Sequence, residues 1–324
     1  MKAKLREVPE EIGVYLFYDR NGQVIYVGKA VNLRRRISQY FNCSRKRMEY
    51  RIQQMSLSIS DIDWIVQESE LHALLLEDRL IKAHWPMYNA RQKKFLRNRY
   101  LTFTDEDYPR LRILNPADKE KSQKPFGPFP DDFFVLDLLE MVYTFFPIRN
   151  CDDAVPSARC QNHKLMNCSA PCREEISKTE YQRIVEQVKS FLKGNTHEAI
   201  RRLEDQIEDS VKGLQFERAG ELRDQMIFCK NFMERQQFYD QFREKGLIIR
   251  EWGSTQRMYL FHRGNLAQSI KGHLPMGEFL RIGDHGKNPI GEGERESDSI
   301  FLDKANVVYS WLKNKKTKKT YKFI

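Results

Sequence analysis

The chain has 324 residues, 55 of them Lys or Arg against 45 Asp or Glu, for a formal net charge of +10. It has no apolar run long enough to span a bilayer and no secretory h-region, which sets membrane and export readings aside and leaves a soluble, cytoplasmic protein as the expectation. The length predicts more than one domain. The positive excess is concentrated in residues 1–100, with 19 basic and 11 acidic side chains, a distribution that suits salt-dependent binding to a polyanion.

Two strand-like runs open the chain, Val14–Tyr18 and Gln23–Val27, rich in β-branched and aromatic residues. Asn21-Gly22 between them tolerates positive φ, so the segment predicts a β-hairpin carrying Tyr15 and Tyr26. Asn32 is placed to cap a helix starting at Leu33, on which Leu33, Ile37 and Phe41 form an apolar stripe. Arg36 and Tyr40, four apart, share another face of that helix. Ile62–Val66 reads as a third strand of the same small sheet. Leu71–Ala83 is apolar on nearly every side and predicts a helix buried against that sheet, in which Glu77 is a costly residue unless a cation or donor meets it. The bland reading is a solvated helical Glu and two ordinary strand tyrosines.

Gly13-Val14-Tyr15, Tyr26-Val27-Gly28, Lys29, Asn32, Arg36, Tyr40, the Leu74–Lys82 run with Glu77, and Tyr88-Asn89 together resemble the GIY-YIG nuclease family, and within it the UvrC/Cho group. The resemblance implies a divalent-metal-dependent phosphodiester hydrolase. Tyr26 would be the general base, with Tyr15 assisting and Tyr40 beside it. Arg36 would sit on the scissile phosphate, Glu77 on Mg²⁺ or Mn²⁺, and Asn89 would be an orienting or phosphate-binding amide. A tyrosine becomes a useful base only where cations favour its phenolate, and Lys29, three residues after Tyr26, is expected to supply that charge. Arg34 and Arg35 are expected to contact DNA backbone or solvent.

Farther along, Lys93–Arg99 is basic and Lys119–Pro130 reads as a linker or loop. An apolar helix is predicted around Phe133–Phe145 and another over 179–194. Six cysteines in a cytosolic chain point to metal or redox chemistry before disulfides. Cys151, Cys160, Cys168 and Cys172 cluster, with eight, seven and three residues between them, while Cys43 and Cys229 read as small hydrophobes. Four thiolates suit a [4Fe–4S] cluster or zinc on ligand count. The UvrC resemblance continues here and favours iron–sulfur over zinc.

Leu203, Ile207, Val211 and Leu214 repeat at helical spacing before Phe216-Glu217-Arg218-Ala219 and Glu221-Leu222-Arg223-Asp224 open a second helix. This resembles the UVR hairpin through which UvrC binds UvrB, with Phe216 and Leu222 as the expected anchors; the alternative is a hairpin packed on its own chain. The last twelve residues hold six lysines and are expected to form a flexible basic tail. About eighty residues after the hairpin are too few for the RNase H-like nuclease that follows in UvrC.

The fold class expected is therefore α+β. A GIY-YIG nuclease domain would span 1–100, a linker and cysteine-cluster domain 101–195, a UVR-like hairpin 196–240, and a short mixed segment 241–324. The function implied is the 3′-side incision of nucleotide excision repair, by a protein that is monomeric alone, on damaged double-stranded DNA presented by UvrB. The competing readings are a non-catalytic adaptor that binds UvrB and DNA, and a lesion-independent GIY-YIG endonuclease.

Overall fold

The computed structural model describes residues 2–42, 50–89, 99–115, 118, 125–129, 131–151, 167–252, 256–275, 277–280, 298–314 and 318–324. The chain divides into two compact units: residues 1–96, 251–256 and 290–320 in the first, and 97–250, 257–289 and 321–324 in the second. Cys43, Cys160, Lys93 and Lys94 fall outside the described residues. Among those described, no helix is long and apolar enough to cross a membrane. The architecture is α+β.

The first unit is built on a three-stranded antiparallel sheet. Strand β1 (Gly13–Tyr18) lies between β2 (Val24–Ala30) and β3 (Asp61–Val66). The β1–β2 turn closes where expected, with Gly22 at φ 74° and its N–H bonded to Asp19 O. A central strand must bury both faces, and every residue of β1 but Tyr18 is buried. One face packs the helix α2 (Leu33–Asn42), through Tyr15, Phe17, Leu33, Ile37 and Tyr40. The other packs α4 (Glu70–His84), through Val14, Leu16, Val27, Ala73, Leu76 and Ile81. Short helices α1 (Lys2–Glu7) and α3 (Tyr50–Ser58) complete the first stretch.

Both caps that position the functional segments are local. The side chain of Asn32 accepts the N–H of Arg35 at 2.8 Å, starting α2 where predicted. Ser69 accepts the N–H of His72 at the start of α4, and Trp85 ends that helix in the left-handed region with its N–H on Ile81 O. Helix α4 is covered on two sides because it has two neighbours. Besides the sheet, it packs against a helix far along the chain, α9 (Asp298–Lys313).

In the second unit, β4 (Arg99–Phe103) pairs on either side with β5 (Leu111–Leu114) and β6 (Phe126–Phe129). The segment 119–130, expected to be a loop, thus contains a strand. Its Gly-Pro dipeptide hides an edge position, where a missing ladder N–H is tolerated. Helices α5 (Asp132–Phe145), α6 (Lys178–Leu192), α7 (His197–Lys212) and α8 (Phe216–Glu244) share one core with this sheet, including Val135, Leu138, Val185, Phe191, Leu203 and Phe232. A second sheet has the order β10-β7-β8-β9, with β7 at Gly246–Trp252, β8 at Arg257–His262, β9 at Asn265–Lys271 and β10 at Lys318–Phe323. The lysine-rich C-terminus is therefore a strand rather than a flexible tail. Ile324 and Gly246 exchange backbone hydrogen bonds at 2.8 and 3.1 Å, and alternate apolar residues such as Tyr321 and Phe323 pack on Phe238.

Candidate nuclease site at the free edge of a three-stranded sheet

Tyr15 and Phe17, two apart on β1, share a sheet face. Regular alternation along β2 is interrupted: Phe17 stands opposite Tyr26, yet Tyr18 stands opposite Val24, leaving Ile25 as the extra residue of a β-bulge. Directly paired residues share a face, so Tyr26, opposite Phe17, lies on the face that carries Tyr15, and the bulge brings Ile25 to that same side. There Tyr15, Tyr26 and Tyr40 form a triangle with ring centroids 6.0–6.2 Å apart, and the Tyr15 and Tyr40 hydroxyls are hydrogen-bonded at 2.9 Å. Gly28 lies directly opposite Tyr15. A methyl there would lie 2.5 Å from the Tyr15 hydroxyl oxygen and 2.9 Å from Cε1 of Tyr26. The glycine of Tyr26-Val27-Gly28 is thus what lets the two phenols close over the strand. Gly13 is similarly confined, because a side chain would meet the Ile65 carbonyl.

β2 is an edge strand, and its outward backbone groups are met by side chains rather than by another strand. Asn89, 1% exposed, accepts the Val27 N–H at 2.8 Å and donates to the Val27 carbonyl at 2.7 Å. Two residues on, the Lys29 N–H donates to Oε1 of Glu77 at 2.8 Å. Glu77 consequently lies at the free edge of β2, where the face carrying the tyrosines and the face carrying α4 meet. Burial lifts its carboxyl above the usual carboxylate range, offset by the Lys29 N–H and by the charges of Lys29 and Arg36.

Burial is also the main reason that the Tyr15 and Tyr26 hydroxyls titrate above an ordinary phenol; Tyr26 and Tyr40 add to it at Tyr15, and Tyr40 and Glu77 add to it at Tyr26, where the Tyr15 hydrogen bond works the other way. The cation facing this cluster is Arg36. Its guanidinium lies 5.5 Å from the centre of the Tyr40 ring; burial works against its charge, but Tyr15, Tyr40 and Tyr26 favour it. Lys29 does not serve the phenols as expected. Residues three apart on a strand point to opposite faces, and its ammonium is paired instead with Glu70, at the start of α4. The pairing of Lys29 with Glu70 was missed by the sequence reasoning; the alternation of β2 and the Ser69-Glu70 helix start were the available signals.

Two further expectations change, and that for Asn89 narrows to its orienting role. Asn89 uses its amide oxygen and nitrogen on the backbone of Val27, so it orients the strand bearing Tyr26 and does not present its amide to a phosphate. Arg34 donates to Val8 O at 2.7 Å and pairs with Glu10 at 2.9 Å, which ties α2 to the chain preceding β1 rather than to DNA. Arg35 is exposed. Leu222 is 8% exposed inside the core of the second unit and is unavailable as a docking anchor, whereas Phe216 is 65% exposed beside exposed Leu214 and Val211.

The chemistry at the sheet edge fits a hard divalent cation. One half-buried carboxylate, raised by desolvation, gains from a bound positive charge, and Mg²⁺ commonly takes one or two carboxylates with water and phosphate oxygens. Among the described residues no three Cys, His, Asp or Glu side chains gather into a metal-holding group. Of the cysteine set, Cys151, Cys168 and Cys172 lie in the second unit and form no disulfide with one another. Cys151 Sγ is 3.8 Å from the guanidinium of buried Arg149, and both Cys151 and Cys168 are near enough to the Tyr181 hydroxyl to influence its ionisation. Cys160 lies outside the described residues, and the three described thiols do not by themselves form a site for a cluster. Cys229 is fully buried, as a small hydrophobe should be.

Residues 11–90 match the family described as UvrC-like GIY-YIG domain, and residues 99–191 match the UvrC/Cho excinuclease middle domain. Both segments are UvrC/Cho domains. The chain is 36% identical over 245 residues to UvrABC system protein C of Clostridium beijerinckii, covering 74% of this chain and 39% of that protein. The protein of the same name from Methanothermobacter thermautotrophicus is 35% identical over 251 residues, 77% of this chain and 42% of the relative. The Acetivibrio thermocellus protein is 29% identical over 339 residues, 99% of this chain and 54% of the relative. The chain thus spans about half or less of the length of these UvrC proteins. The magnesium-bound GIY-YIG domain of Thermotoga maritima UvrC is 35% identical over 28% of this chain and all of that domain, at a TM-score of 0.25.

Proposed function

We propose that this chain is a divalent-metal-dependent endonuclease of nucleotide excision repair that nicks one strand on the 3′ side of a lesion presented by UvrB. The observation that carries the reading is the convergence of Tyr15, Tyr26, Tyr40, Arg36 and Glu77 at one sheet edge, inside the segment that matches the UvrC-like GIY-YIG domain. Arg36 binds the scissile phosphate, its planar fork meeting two oxygens. Tyr26 orients the attacking water and takes its proton at the phenol oxygen; Arg36 is the cation that favours the phenolate. The Tyr15–Tyr40 hydrogen bond fixes the neighbouring rings so that only the Tyr26 hydroxyl must move charge. Glu77 is the protein ligand for Mg²⁺ or Mn²⁺, which when bound neutralises phosphate charge and stabilises the leaving oxygen. Asn89 positions the strand.

The four segments follow the same reading. Residues 1–100 form the nuclease domain and 101–195 the cysteine domain. The hairpin of 196–240 presents Phe216, with Leu214, to UvrB, and 241–324 form a mixed segment. The exposure of apolar side chains at the α7–α8 turn supports the partner reading, since an exposed apolar patch marks an interaction surface. For Cys151, Cys160, Cys168 and Cys172 ligand count suits a [4Fe–4S] cluster or zinc alike, the resemblance to UvrC favours the cluster, and iron and sulfide analysis of anaerobically purified protein tests it.

The function is tested by incision of a lesion-bearing duplex with and without UvrB, for wild type, Glu77→Gln and Tyr26→Phe. Wild type is expected to nick only with divalent metal and UvrB. Both variants are expected to lose about 100-fold or more in rate while keeping their DNA affinity. Nicking of undamaged DNA at the same rate without UvrB would move the protein to the lesion-independent class. Metal-dependent nicking by Glu77→Gln at the wild-type rate would remove Glu77 from the site.

A further inference from the structure

Helix α4 carries two stripes. Ala73, Leu76 and Ile81 belong to its packing on the sheet, while Glu70, Leu74, Asp78 and Lys82, four apart, meet α9. Lys82 is paired with Asp78 at 2.7 Å and with Asp303 of α9 at 3.2 Å, with all three side chains largely shielded. Above that ion-pair anchor, α4 and α9 leave a cleft of about 360 Å³ lined by Lys29, Glu70 and Leu74 on one side and by Asn306, Ser310 and Asn314, with Trp311, on the other. Its size is within the range of pockets that hold a small ligand. Asn306, Ser310 and Asn314 are spaced by four and so present one polar ridge to the cleft.

The charges around Glu70 give this cleft a sign. Lys29 is paired with its carboxylate. Lys319 donates to the Asn314 carbonyl at 3.0 Å, holds its ammonium 4.7 Å from the centre of the Trp311 ring, and is within electrostatic reach of Glu70. Two lysines from distant parts of the chain are thus placed around one anion, with amide and hydroxyl side chains beside it. Lys29 also belongs to the nuclease edge, through its backbone N–H on Glu77. Lys29 is thus shared between the cleft, which takes its side chain, and the strand edge at Glu77, which takes its backbone.

We propose that the α4–α9 cleft binds a backbone phosphate of the DNA strand flanking the scissile bond, with Lys29 and Lys319 as its cations, the Asn306–Ser310–Asn314 ridge as hydrogen-bonding partners, and Glu70 as the internal counterion that the phosphate displaces. The proposal rests on the nuclease reading for its substrate, but its ligand chemistry is that of a phosphodiester in any DNA-binding role. It makes α9 a working wall of the nuclease unit, although more than two hundred residues separate it from α4 in the chain.

The test is equilibrium binding of the full chain to a fluorescent duplex over a salt series, without divalent metal so that no strand is cut, followed by nicking kinetics. Lys319→Ala and Ser310→Glu are each expected to weaken binding by about five-fold or more and to lower the salt slope by about one per cation lost or neutralised. Glu70→Gln, which removes the competing anion, is expected to tighten binding several-fold, an effect that lost packing would not produce. In nicking, the Lys319 and Ser310 variants should raise KM and leave kcat within about two-fold. Unchanged affinity and salt slope in folded Lys319→Ala, together with no tightening in Glu70→Gln, overturns the proposal; should Ser310→Glu fail to fold, these two variants decide. Absence of nicking by wild type would refute the nuclease reading, while the binding series would still decide the cleft.

Discussion

Gly28→Ala is the sharpest probe of the tyrosine triangle, because it adds one methyl to a strand residue with no other role. That carbon would sit 2.5 Å from the Tyr15 hydroxyl oxygen, 2.6 Å from Tyr15 Cζ and 2.9 Å from Tyr26 Cε1. Carbon contacts settle near 3.5–4.0 Å, so the Tyr15 ring must retreat by about 1 Å. It has little room to do so. Tyr15 is 1% exposed, its hydroxyl is bonded to Tyr40, and Phe17 stands 5.1 Å from it between ring centroids. Overpacking of this kind costs about 1–3 kcal/mol, which for a unit of roughly 130 residues lowers its melting temperature by about 3–5 °C per kcal/mol. A displacement of about 1 Å at reacting groups costs about 100-fold in rate. The assay is single-turnover nicking beside thermal denaturation. Gly22→Ala is the control: Gly22 has φ +74°, with nothing within 4 Å of an added carbon. It should cost about 1 kcal/mol of backbone strain and leave the rate of the folded protein unchanged. A folded Gly28→Ala that nicks and melts like wild type would refute the reasoning, since the phenols would then not need that close approach.

Asn89→Ala strips both partners from the Val27 backbone, so it should destabilise the first unit by about 2–4 kcal/mol, with activity falling as the fold is lost; a stable variant with a selective defect in phosphate affinity would reverse the assignment. In the second unit, Leu222→Ala should cost about 2–5 kcal/mol in denaturant titrations, whereas Phe216→Ala should leave stability nearly intact and weaken UvrB association in a titration. Equal stability losses would place both side chains in the core. Asp303 has its carboxyl pushed up from 3.8 to about 6, chiefly by burial. A raised carboxyl contributes stability that is fully present below the unfolded value and is lost as pH climbs through the folded one, here about 3 kcal/mol between pH 4 and pH 6 or 7. Asp303→Asn should remove that slope from the difference between the two stability–pH curves; parallel curves would show that Asp303 does not titrate in this range.

Local pattern alone was enough for several parts of this protein. The Asn21-Gly22 turn, the β-rich runs around it, Asn32 as a cap and the apolar α4 all follow from periodicity and turn chemistry that operate within a few residues, and they predict which elements carry Tyr15, Tyr26, Arg36, Tyr40 and Glu77. Side-chain direction within them was another matter. The register that sets Tyr26 opposite Phe17 puts it on the Tyr15 face, and strand alternation sends Lys29 to Glu70 instead of to the phenols; register is a property of pairing, so one strand does not announce it. Asn89 read as an orienting or phosphate-binding amide, and the outward backbone of an edge strand claimed it for the first role. Leu222 and Phe216 share one motif, but the core of the second unit took one and left the other. Most distant from local reasoning are the strand at Lys318–Phe323 and the docking of α9 on α4. Both draw on partners at least sixty residues away, and charge runs or helical periodicity carry no record of which surface will cover which. The residue types at the site were thus legible in the chain; their mutual orientation was decided by contacts that only folding creates.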